Sequence, residues 1–170
     1  MLKTLLEERK RSRAVRDLKV VGSAAEPVFD RFVAAAAAAF NAPVALISLI
    51  HGEEQWFKAA HGLVIDCIPR ADGFCGHALD CPDVLEVLDP CADPRFAQLP
   101  NVVGDPYVRY YIGARLQRTD GTSVGALCVV DTRARTAASA DQKAYLSSLA
   151  RQVTRALEDR MERRIPEAAR

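Results

Sequence analysis

The segment Cys75-Gly76-His77-Ala78-Leu79-Asp80-Cys81 gathers two thiols and an imidazole within about two helical turns. A zinc centre takes about four nitrogen or sulfur ligands, and no fourth is evident nearby. The pattern therefore fits a cysteine and a histidine facing a pocket from a short helix better than it fits a metal ion, since free cysteine commonly serves as a small apolar residue. The five cysteines are odd in number and form no CxxC pair, as expected of reduced thiols rather than of a disulfide framework. Ser-His-Asp catalysis, a glycine-rich phosphate cradle and paired catalytic carboxylates leave no recognisable trace. A second hint of a pocket comes from Gly113 and Gly125, which interrupt two strand-like runs. Glycine inside a strand marks a bulge or a close approach by another backbone or a ligand.

The chain of 170 residues is of single-domain size and long enough to bury a core without staples. With 23 basic and 22 acidic residues its net charge is +1, so no long-range field recruits nucleic acid or an anionic membrane. The longest apolar stretch, Val33 to Ile50, is broken by Asn41 and Pro43 and is too interrupted to span a bilayer. The N-terminus carries Glu7, Glu8 and several basic residues rather than an apolar signal core. A cytoplasmic location without membrane insertion is the expectation.

Positioning any pocket falls to a hairpin expected over Val108 to Asp131, with Arg118-Thr119-Asp120-Gly121-Thr122 as its turn. In its second arm Val124, Ala126, Cys128 and Val130 should face one way and Leu127 and Val129 the other, so both faces need cover. Residues 1–22 read as a charged helix with an apolar stripe too thin for a core helix, broken at Gly22-Ser23. Pro27 to Phe40 reads as a core helix and Val44 to Ile50 as a central strand. Gln55 to Ala60 pairs with that strand and carries Trp56 as a core or sheet-face anchor. His61 to Asp72 reads as a loop, then a short helix capped by Asp72, then a third strand at Val84 to Leu88. Between Asp89 and Pro106 four prolines mark a long irregular connection of the kind that forms lids and binding loops. Thr136 to Arg164 is the longest helical signal. Ser139 and Gln142 form a capping box, Leu146, Leu149, Val153, Ala156 and Leu157 form its stripe, and Pro166 forms its stop.

The pieces NAPVALISLI, QWFKAAHGL, DGFCGHAL, DPRFAQLPNVVGDPYVRYYIGARL and GTSVGALCVVDTRAR, followed by the long final helix, are similar in order and spacing to a GAF domain, the small-molecule-sensing fold of bacterial signalling proteins. The resemblance runs from about Pro27 to Arg160. It implies an α+β, α/β sandwich-like fold with a central antiparallel sheet of five to six strands. The terminal helices would lie on one face, and pocket-forming loops and short helices on the other. The domain would occupy 23–164, after the helical extension 1–22 and before a tail at 165–170. The resemblance also implies that the terminal helices pair with those of a second subunit. With no length left for an output domain, the signal would pass to a separate partner protein.

Within that pocket the lining expected is Phe74, Cys75 and His77 from the short helix, Asp93, Arg95 and Phe96 from the long loop, and Tyr107, Arg109 and Tyr111 entering the central strand. Arg109 and His77 could fix a carboxylate or phosphate, and the aromatics an apolar or planar body. The alternative is that Asp93 and Arg95 only pin their loop and Tyr111 fills the core. Bilin attachment needs a Cys-His dipeptide that is missing here, and a cyclic-nucleotide signature cannot be assembled. The runner-up is a free methionine-(R)-sulfoxide reductase, a thiol enzyme on the same fold. Cys67 and Cys75 fall near two of its cysteines, but the segment expected to hold its nucleophile, Val103-Gly104-Asp105, has none. The sequence reading is thus a non-enzymatic sensor of an unidentified small molecule that dimerises through its terminal helices, with no cofactor and no metal identified. A dimerisation module without ligand is the remaining alternative.

Overall fold

Apolar, β-prone runs joined by a turn-forming Asp-Gly build the hairpin of β5 (Tyr110–Gln117) and β6 (Ser123–Asp131). In its turn the Asp120 carboxylate accepts from the Thr122 amide at 2.9 Å, and Gly121 takes a left-handed φ of +86°, which glycine adopts without a Cβ penalty. Four further strands extend the sheet: β1 (Val44–His51), β2 (Glu54–His61), β3 (Cys67–Pro69) and β4 (Val84–Val87). The order is β3-β2-β1-β6-β5-β4, with antiparallel pairing throughout. The computed structural model describes residues 1–163. The expected domain end at residue 164, the helix stop at Pro166 and the tail at 165–170 lie outside the described residues.

One face of the sheet is covered by α1 (Leu2–Leu18), α2 (Pro27–Phe40) and α5 (Ala140–Arg163), the other by the short helices α3 (Cys75–Ala78) and α4 (Pro100–Val103) with their loops. Two cores result. The helix-side core holds Phe29, Phe40, Ile47, Leu127, Val129, Leu146, Val153 and Leu157. The second holds Leu46, Phe74, Cys75, Phe96, Val108, Tyr111 and Cys128. The α+β sandwich expected from the sequence is present, with six strands.

Two bulges re-aim side chains in this sheet. Between Leu116 and Gln117 the register with β6 shifts by one residue, so Val124 is the extra residue. It joins Leu127 and Val129 in the helix-side core rather than Ala126 and Cys128 as strict alternation predicts. Between Ile47 and Ser48 a second shift leaves Lys58 of β2 unpaired and turns it toward the helices. Its ammonium donates to the Ser23 hydroxyl at 2.8 Å and the Ala24 carbonyl at 2.6 Å, and pairs with Glu26 at 2.6 Å. Gly125 marks a close approach, as predicted: a Cβ there would overlap the Ser48 carbonyl of β1.

Several sequence expectations need correction. The first helix is a core helix in its second half, where Ala14, Val15 and Leu18 are buried. Its thin stripe suffices because Arg11 lays its stem on the core and donates to the Ser123 carbonyl at 2.8 Å. It ends at Lys19 in a left-handed cap, before Gly22. Asp72 caps nothing. Arg70–Asp72 closes its own 3-10 turn, and α3 starts three residues later with Phe74 at the cap position. The presumed loop before it contains β3, and the proline-rich connection contains α4. Trp56 is half-buried, with its indole donating to Glu54 at 2.9 Å, and belongs to neither core. The capping box forms as expected. Ser139 and Gln142 exchange backbone-to-side-chain bonds of 3.0 and 3.1 Å.

Candidate functional site

On its second face the sheet does not pack shut. A cavity of about 490 Å³ lies between β1, β2, β5 and β6 below and α3, α4 and the loops around Leu63, Ile65 and Pro106 above. Its floor is set by strand alternation: Leu46, Cys128 and Val130 project to this side from β1 and β6, and Tyr111 does so from β5. Phe74 closes one side in a parallel stack, with ring centroids 4.5 Å from Phe96 and 4.9 Å from Tyr111. The wall is mostly apolar and aromatic with few polar groups, the usual make-up of a small-molecule site.

Two of the polar elements are unusual. The first is a buried thiol pair, with Cys75 Sγ 3.7 Å from Cys128 Sγ and the Tyr111 hydroxyl donating to Cys75 Sγ at 3.3 Å. The hydrogen bond shared with Cys128 holds the Cys75 thiol below its ordinary value against the opposing effect of burial, helped by Ser48, Tyr111 and Gln55. The same bond and equal burial push Cys128 well up. Burial and the neighbouring Cys75 push the Tyr111 hydroxyl up as well. The second is a pair of amides. Gln55 is 2 % exposed, and its Oε1 has no hydrogen-bond partner, nor has Asn101 Oδ1. Both residues line the cavity. Gly73 makes room for the Gln55 amide, whose oxygen a Cβ there would overlap.

Of the lining expected from sequence, Phe74, Cys75 and Tyr111 are on the cavity wall, and Phe96 lies behind Phe74. The others face elsewhere. His77 is exposed on the outer side of α3, beside a shallow depression with Glu53 and Arg70. Burial against Phe96 and the neighbouring Arg95 hold its imidazole below the ordinary value. Asp93 and Arg95 pair through bonds of 3.0 and 2.7 Å and pin their own loop. Tyr107 is 52 % exposed. Arg109 is captured by the Val102 and Val108 carbonyls at 3.0 and 2.9 Å. The expected anion-fixing pair of Arg109 and His77 is therefore not assembled. Gln55, Asn101 and Cys128 were missed. Only Cys128 carried a signal, its place on the same face as Ala126 and Val130.

The thiol arrangement also differs from the runner-up expectation. Cys67 lies on the edge strand β3 outside the cavity wall, and burial with nearby Glu54 and Asp66 raises its thiol. The partner of Cys75 is Cys128. Among the described residues no group of three or more His, Cys, Asp or Glu is placed to hold a metal ion. No helix among them is long and apolar enough to cross a membrane.

Comparison with known proteins agrees with this architecture. The chain is 40% identical over 147 residues to a cyclic di-GMP phosphodiesterase of Pseudomonas aeruginosa, a match covering 86% of this chain and 25% of that protein. The chain thus spans about a quarter of that curated relative's length. Among solved structures it resembles the second GAF domain of DevS from Mycobacterium smegmatis, with a TM-score of 0.60 and 21% identity over 81% of this chain and 96% of that one. It also resembles the type II free methionine-R-sulfoxide reductase from Thermoplasma acidophilum, with a TM-score of 0.59 and 18% identity over 76% and 91%. At such identities these two show the fold alone. The GAF domain model matches residues 24–157, and with the ordered motifs, the six-stranded sheet and the covered second face it establishes that the chain belongs to the GAF domain family.

Proposed function

We propose that this chain is a non-catalytic sensory unit that takes a small molecule into the cavity on the second face of its sheet and passes the occupancy on through its terminal helices. The observation that carries this reading is the cavity itself, about 490 Å³ of mostly apolar space partly covered by short helices and loops rather than filled by side chains. A mostly apolar concavity lined by aromatic rings and a few convergent polar groups is the usual form of a small-molecule site. The non-catalytic part rests on the groups around it. The wall offers thiols, amides and rings, and the Val103-Gly104-Asp105 segment brings a carboxylate where a thiol nucleophile would be needed.

A route to the helices runs through Arg70, which precedes α3 and forms a two-pronged ion pair with Glu8 of α1 at 2.9 and 3.0 Å. A shift of α3 over an occupant is felt in α1 through this link. At the start of α1, Leu2, Leu5 and Leu6 are 74, 54 and 57 % exposed at helical i, i+3, i+4 spacing, a stripe suited to a second copy of the same helix. We assign the chain to the cytoplasm, where its five free cysteines would remain reduced, with a partner protein receiving the signal. The test is a thermal-shift panel of metabolites combined with light scattering. A compound that raises the melting temperature progressively, with the logarithm of its concentration above the dissociation constant, on a dimer at micromolar protein, is the expected result. A monomer that no compound stabilises would overturn it.

A further inference from the structure

We infer that the molecule this cavity receives is largely apolar, equipped with hydrogen-bond donors and without negative charge, and that anions, cyclic nucleotides and cyclic dinucleotides included, are excluded. The inference rests on the sensory reading above and gives it a ligand class.

The charges around the cavity are the first argument. Among the described residues no Lys, Arg or His side chain lines it, and the one charged group that does is the carboxylate of Asp105. Three arginines near the covering elements are already engaged. Arg109 is held by two backbone carbonyls, Arg95 by Asp93 and Arg70 by Glu8. His77 is on the outer side of α3, where burial and Arg95 disfavour its charged form. An anion entering this space would lose its hydration without gaining a countercharge, an unfavourable exchange in an apolar enclosure.

The second argument is the orphaned amides. Gln55 Oε1 and Asn101 Oδ1 are both buried without a partner, and buried polar groups in folded proteins are nearly always satisfied. Both residues stand on the cavity wall, so an N–H or O–H on the occupant completes what the chain leaves open. The third argument is size and shape. A space of about 490 Å³ beside the flat Phe96–Phe74–Tyr111 stack, filled at densities usual for bound ligands, holds roughly 12 to 20 non-hydrogen atoms. A cyclic dinucleotide with its two purines and two phosphates is larger and doubly charged.

The experiment is a screen of size-matched fragments in three charge classes, with cyclic GMP, cyclic AMP and cyclic di-GMP added to the anions. It is read on the methyl resonances of Leu46, Leu63, Ile65, Ile68, Val108 and Val130. The expected result is that cavity binders are N–H or O–H donors without negative charge. The carboxylate isostere of the best binder should bind at least about a hundredfold more weakly. Gln55→Leu should weaken that binder about tenfold while leaving a donor-free binder of the same shape unaffected. Anions dominating the shifts at these methyls would overturn the inference and leave the small-molecule reading standing. Equal losses for both binders in Gln55→Leu would overturn the donor requirement. No shift from any fragment would remove both the inference and the reading beneath it.

Discussion

Glu26 joins three elements, and its replacement by glutamine should be among the costliest single-atom changes in the protein. Its Oε2 accepts from Lys58 Nζ of β2 at 2.6 Å and from Arg160 Nε of α5 at 2.7 Å. The two cationic side chains are 0 % and 6 % exposed. Arg160 also donates to the Leu18 and Lys19 carbonyls at 2.8 and 3.0 Å, so the start of α2, the sheet and α5 meet at one carboxylate and Arg160 ties the end of α1 to them. Glu26→Gln keeps the shape but leaves two buried cations facing a neutral amide, at a cost of about 3 kcal/mol. Lys58→Met removes one cation together with its own desolvation penalty, and Glu26 keeps Arg160, so about 1–2 kcal/mol is expected. In the Lys58→Met background Glu26→Gln should then cost about 1 kcal/mol, a coupling well outside additivity. Urea unfolding of the four proteins, read as midpoint shifts at constant slope, measures this. Additive costs, or a Glu26→Gln cost under about 1 kcal/mol, would refute the reasoning.

The same carboxylate sets a pH signature. Burial opposes its ionisation, but the bonds from Lys58 and Arg160 outweigh burial and leave its folded pKa below the ordinary value. Its contribution is therefore complete above the unfolded value of about 4.3 and is lost as pH falls through the lower folded value, so the wild-type advantage over Glu26→Gln should hold at neutral pH and shrink as pH falls below about 4.3. Gly125→Ala should cost at least about 3 kcal/mol, since its Cβ would overlap the Ser48 carbonyl at the β1–β6 seam where neither backbone has room to yield; a melting temperature near wild type would contradict this. Leu157→Ala, at a fully buried α5 position, should cost about 3 kcal/mol in the same unfolding assay. Iodoacetamide with peptide mass spectrometry should label exposed Cys91 first and the buried pair Cys75 and Cys128 last; early labelling of Cys128 would contradict the packing described.

Features carried by adjacent residues were readable from the sequence. The Asp120-Gly121 turn, the Ser139/Gln142 box, the Pro27 helix start and the glycine at Gly125 each declare themselves within a few positions, and each is in place. Features that depend on pairing across the sheet were not. The three-residue strand β3 has too little pattern of its own and exists because β2 offers it an edge. The bulges at Lys58 and Val124 are set by partner strands, so alternation alone assigned Val124 to the wrong face. In the cavity, Phe74, Cys75 and Tyr111 follow from local pattern, whereas Gln55 is one polar residue in the run QWFKAA and nothing nearby tells which way it turns. Arg109 was misjudged for a related reason. Its positive charge suggested an anion, but the folded loop around α4 supplies two carbonyls that hold it instead.

The central claim is that the second face of the sheet, and not the helix face, receives a small molecule. Titrating methyl-labelled protein with fractionated small-molecule extract of the cells that make it tests this directly. The account predicts a fraction that shifts the cavity methyls of Leu46, Ile68 and Val108 while those of Leu127, Val129 and Leu157 in the helix-side core stay in place. Fractions that leave the cavity methyls unmoved, or that act only through the helix-side set, would contradict it.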